Sequence, residues 1–143
     1  MDSELADLAE AILGVGRELR IAMDADVVHL TASEAHVMRH IDHHPGVTPS
    51  DVARATGLQR SNLSTALRGL EKRGFVERRT DPRDARGVNL FPTARAADNL
   101  KRLRRQWGKQ MKRALGGDVE SALSATALLQ RIEAELVAER ING

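Results

Sequence analysis

The chain has 143 residues, 41% of them apolar and 29% charged, and it has no Cys, which excludes disulfides, thiol catalysis and thiol-based redox sensing together. No apolar run approaches the roughly 20 residues needed to span a bilayer, and the start, MDSELADLAE, is acidic where a signal peptide would be basic and then apolar, so a cytoplasmic location is expected. The net charge of +2 hides a segregation: residues 60–113 hold 16 Lys and Arg against 5 Asp and Glu, residues 1–59 hold 4 against 10, and residues 114–143 hold 2 against 5, so a basic middle suited to a phosphate backbone lies between acidic ends.

One folding unit is expected at this length. Phe75, Phe91 and Trp107 are all the aromatics, so the core must come from Leu, Ile, Val, Ala and Met. The first segment is helical, with Leu5, Leu8, Ile12, Val15, Leu19 and Ala22 on one stripe at steps of three and four. Gly14 and Gly16 interrupt it, either weakening the helix or allowing close approach of another. Thr31 with Glu34 fits a capping box that opens a helix ending near His44, where Pro45 and Gly46 stop it. Thr48 caps the next helix, with Pro49 at its first position, and Gly57 ends it in a tight turn.

A helix over about 59–73 follows. Leu63, Leu67 and Leu70 share one face, and Ser61, Ser64, Thr65 and Arg68 lie within about 100° of each other on the opposite one. Small hydroxyls let a helix sink into a groove, while Arg and Asn can read base edges. Gly74 ends the helix. Phe75 to Thr80 and Arg86 to Phe91 read as two strands joined by a polar turn that Asp81 and Pro82 initiate. Thr93 caps a long helix whose seam is Leu100, Leu103, Trp107, Met111 and Ala114, with many Lys and Arg opposite. Gly116 and Gly117 break it. Asp118 caps the last helix, whose seam is Ala122, Ala125, Leu129, Ile132 and Leu136. The fold class expected is mainly α with a small β-wing, a winged helix-turn-helix flanked by N- and C-terminal helices.

LTASEAHVMRHI, followed by TPSDVARATGLQRSNLSTALRGLEKRGFVERRTDPRDARGVNLFPTARA, resembles the MarR family of bacterial transcription regulators. The most specific stretches are Leu70 to Arg78 and the wing from Asp81 to Arg86. The resemblance implies an N-terminal dimerisation helix over residues 1–29, a DNA-binding domain over 30–95 and C-terminal dimerisation helices over 96–143. It also implies a homodimer on a pseudo-palindromic double-stranded operator, usually repressing and often released by a small anionic or phenolic ligand held between the dimer region and the winged domain. The lack of Cys excludes the peroxide-sensing branch, and the scarcity of aromatics leaves little to stack a phenol.

Within that frame Arg60, Ser61, Asn62, Ser64, Thr65 and Arg68 are the candidates for base and phosphate contacts, with Arg79, Arg83 and Arg86 on the wing. Arg83 at the wing tip is expected in the adjacent minor groove. Asp81 and Asp84 are expected to hold Arg79 or Arg86 in place by paired hydrogen bonds. His36, His40 and His43 share a helical face at spacings that a metal ion or a pH response could use, or that serve as a polar flank. Val37 stands where a metalloprotease helix has Glu, and no fourth ligand is evident. No Gly-rich phosphate loop, nucleophile–base pair or carboxylate pair is present, so neither enzyme activity nor a cofactor is expected. A metal- or pH-responsive DNA-binding sensor and a winged-helix protein-interaction module are the competing readings. A net +11 over residues 60–113 argues against the second.

Overall fold

The computed structural model describes residues 1–21 and 25–143, and of Ala85 and Arg86 the backbone alone. The seam position Ala22 therefore lies outside the described residues. In chain order the elements are α1 (Asp2–Ile21), α2 (Ala32–His43), α3 (Pro49–Thr56), α4 (Arg60–Lys72), β1 (Val76–Asp81), β2 (Asp84–Pro92), α5 (Ala94–Leu115) and α6 (Val119–Asn142).

Short polar residues set the helix starts. Thr31 and Glu34 complete a capping box at α2, with reciprocal bonds of 3.1 Å. Thr48, Thr93 and Asp118 cap α3, α5 and α6 through their side-chain oxygens. Gly74 ends α4 at φ 72, a left-handed conformation costly for any residue with a Cβ. This turns Phe75 inward, with its amide on the Leu70 carbonyl at 2.9 Å.

One apolar core joins α2, α3, α4 and the sheet. Val37, Ile41, Val52, Leu63, Leu67, Leu70, Phe75 and Leu90 are buried in it. Glu34 is buried as well, at 4% exposure. It pairs with Arg73 at the far end of α4. Its carboxylate lies across Gly69, where a Cβ would run into it.

The strands are antiparallel, with Val76 opposite Pro92 and Thr80 opposite Val88. The connection is tighter than the sequence suggests. Asp81 pairs with Asp84 after a register irregularity, so β2 begins two residues before Arg86 and the turn contracts to Pro82 and Arg83. Phe75 belongs to the core and the helix stop, and β1 starts at Val76. Val47 also bridges Leu90, through bonds that run Gly46 N to Leu90 O and Leu90 N to Val47 O, both 2.8 Å. The α2–α3 loop is thereby stitched to the sheet.

The outer helices differ. Neither α1 nor α6 has a buried residue. Leu5, Val15, Leu123 and Leu136 are all more than half exposed. A Cβ at Gly14 or Gly16 would meet nothing within 4 Å among the described residues. Among the described residues no helix is long and apolar enough to cross a membrane.

Candidate nucleic-acid interface

The leucine face of α4 docks on the core and leaves Arg60, Ser61, Asn62, Ser64, Thr65 and Arg68 exposed on its other side. All six candidates on this helix thus share one accessible surface. Two of them are partly engaged. Thr65 donates its hydroxyl hydrogen to the Ser61 carbonyl at 3.0 Å, so it offers an acceptor and a methyl group to a ligand. Arg68 folds back, with Nε 3.5 Å from the Ser64 carbonyl in an exposed position. Arg60 and Asn62 stand free of such local bonds to their own helix among those described.

The start of α4 supplies a feature that the residue types did not reveal. Gln59 occupies the N-cap without a side-chain capping bond, whereas α2, α3, α5 and α6 are each capped by a Thr or Asp oxygen. The first-turn amides of α4 therefore keep unsatisfied donors beside Arg60, at the positive end of the helix dipole. Such an end accepts a phosphate oxygen well.

At Asp81 and Arg79 the wing is arranged differently from expectation. The Asp81 carboxylate accepts from the backbone amide of Arg83 at 2.8 Å. A short acidic side chain at a turn start reaches its own backbone two residues on more readily than a guanidinium on a neighbouring pair. Arg79 turns to Glu77, at 3.3 Å, and lies over the Phe91 ring, 4.1 Å from its centroid. The expected clamp of Asp81 on Arg79 is thus replaced by a turn lock and a cation–π contact. Asp84 pairs by backbone with Asp81, and the Arg86 side chain lies outside the described residues. Arg83 remains exposed at the tip. Arg78 bonds Glu71 at 2.5 Å, fixing the wing to α4.

Around this head His36, His40 and His43 do not form a metal centre; among the described residues no three His, Cys, Asp or Glu side chains converge as ligands. His40 stacks on His44, with ring centroids 4.4 Å apart. Desolvation, then His44 and His36, hold the His40 imidazole below its usual pKa. His36 is lowered likewise, by desolvation and then by Arg39 and Arg140.

The MarR family model matches residues 30–87, the segment from the α2 cap into β2 of the wing. Over that segment the chain is similar to the MarR family. It is 27% identical over 104 residues to YybA, an HTH-type transcriptional regulator of Bacillus subtilis (strain 168), with 72% of this chain and 69% of that one covered. The crystal structure of MarR has the same fold, with a TM-score of 0.68 at 23% identity over 94% of this chain and 98% of that one. The PcaV regulator of Streptomyces coelicolor, solved with its natural ligand, superposes with a TM-score of 0.62 at 21% identity, over 87% of this chain and 88% of that one. The matched segment contains the exposed face of α4 and most of the wing.

Proposed function

We propose that the chain works as a cytoplasmic homodimer that sets two α4 helices into successive major grooves of a pseudo-palindromic operator, roughly 34–36 Å apart. The observation that carries this reading is the α4 surface: an exposed row of small hydroxyls, Asn62 and two Arg, behind an uncapped helix start. Small side chains allow close approach, the open amides and Arg60 take phosphate, and Arg68 or Asn62 reads a base edge. Arg83 reaches the neighbouring minor groove from a turn already held by Asp81. The apolar faces of α1 and α6 support a second copy, because the single chain leaves them open to water.

The regulator represses, and a small ligand releases it. Two observations support this part. PcaV was crystallised with a natural ligand. In this chain the Trp107 Nε1 donor is buried with no hydrogen-bond partner among the described residues, and an acceptor atom of a ligand or of a second copy would satisfy it.

The test is selection of binding sites from random duplex by the whole protein, followed by salt titration on the selected site. An inverted repeat, bound with an affinity that falls steeply as salt rises, is the expected result. Salt-insensitive binding, or no enrichment of any sequence, would overturn the reading in favour of a protein-interaction module.

A further inference from the structure

Glu133 and Arg140 stand seven residues apart on α6, hence on one side of that helix about 10 Å from each other. Each reaches a different helix of the winged domain. The Arg39 guanidinium of α2 donates two bonds to the Glu133 carboxylate, at 2.6 and 3.0 Å. Arg140 donates to the carbonyls of Arg54 and Ala55, at 2.9 and 2.5 Å. Those carbonyls close α3, where no helical amide remains to satisfy them, and a cation there also complements the helix dipole. Arg140 lies so close over the α3–α4 turn that a Cβ on Gly57 would sit 2.8 Å from its Nη1.

The contacts are polar and exposed: the Arg39 and Glu133 side chains are 57% and 48% accessible. Exposed pairs of this kind contribute little to stability. What they do fix is orientation, because both are two-pronged and they grip α2 and α3 from one rigid helix.

We propose that Glu133 and Arg140 are positioning residues that hold the reading head at a set angle to the dimer body, and so determine the half-site spacing the protein accepts. This rests on the homodimer reading above. Arg39→Glu, Glu133→Arg and Arg140→Gln each release one end of the clasp, and the double swap Arg39→Glu with Glu133→Arg rebuilds the ion pair in reverse.

The probes are the inverted repeat selected by the unaltered protein, the same repeat with its centre lengthened or shortened one base pair at a time, and a single half-site duplex. Unaltered protein is expected to bind one spacing best. Each single variant should bind that spacing about tenfold more weakly, tolerate its neighbours better, and hold the single half-site unchanged. The double swap should restore the sharp profile. Variants with unaltered spacing profiles, variants that lose half-site binding equally, or a double swap that restores nothing would each overturn the assignment. If the unaltered protein selects no inverted repeat at all, the homodimer–operator reading has failed, and the clasp falls with it.

Discussion

The winged domain and the outer helices are built from the same kind of amphipathic helix and end in opposite states. In α4 the stripe of Leu63, Leu67 and Leu70 is buried on α2 and the sheet. In α1 the stripe positions Leu5, Leu8, Ile12 and Val15 are all exposed. An apolar stripe states that a helix must be covered, and leaves open whether its own chain does the covering. The winged domain closes its core within one chain. The termini carry a surface that only another molecule, or another copy, can close.

The largest effect should come from within the first region. Phe75→Ala removes a core ring that is 1% exposed, and the expected loss is about 3–5 kcal/mol in urea unfolding. An equally large loss from an α1 substitution in the monomer would erase the contrast between the regions. For the second region, Leu8→Asp with Ile12→Asp should shift sedimentation from a dimer to a 15.7 kDa monomer while the far-ultraviolet helix signal of the winged domain persists. A dimer that survives both charges would place its interface elsewhere.

Smaller effects separate the roles within the reading face. Arg68→Ala should lower the ratio of specific to non-specific binding by about 1–3 kcal/mol, read by competition between the selected site and random duplex. Arg60→Ala should weaken both alike and reduce the salt slope by about one. Loss of discrimination from Arg60→Ala alone would reverse that division. Arg83→Ala should weaken operator binding without changing the melting temperature, since its side chain has no place in the core.

The smallest effect concerns the helix that faces both regions. His36 and His40 on α2 have pKa values below 6.5 in the fold, through desolvation and then their cationic or imidazole neighbours. The unfolded chain takes up those protons first, so this contribution is whole above about pH 6.5 and is lost as pH falls through the folded values. Glu133, lowered by its bond to Arg39, acts in the same sense at more acid pH, and Asp42, raised by desolvation, acts in the opposite one. Melting temperature should therefore decline modestly from pH 7 to pH 5.5, and His36→Asn with His40→Asn should flatten that decline. A rise on acidification would contradict the sign.

What the sequence made legible was local. Caps at Thr31, Thr48, Thr93 and Asp118, the stop at Gly74 and the periodicities place every helix, because each depends on neighbours within a turn. The exposed face of α4 follows from the same 100° arithmetic. The rest joins residues far apart in the chain. Nothing near Arg39 announces Glu133, 94 residues on, and nothing near Val47 announces its bridge to Leu90. The wing shows another limit. Arg79 had acidic neighbours on several sides, and only the strand register, which sets Glu77 opposite Phe91, decided where its guanidinium went.

Glu34, Gly69 and Arg73 carry a consequence for how such a chain can change over generations. One carboxylate oxygen of Glu34 holds the start of α2 through Thr31, and the other holds the end of α4 through Arg73, with bare Gly69 backbone beneath. An Ala at position 69 would favour the helix by about 1 kcal/mol, yet it would push Glu34 off one of its two partners. The order of mutation therefore matters: Gly69 becomes replaceable only after position 34 has given up its long acidic side chain. Loss of Glu34 in turn strands the Arg73 cation unless that position changes too. The three positions form an epistatic lock, and descendants of this sequence should keep all three residues or exchange them as a set.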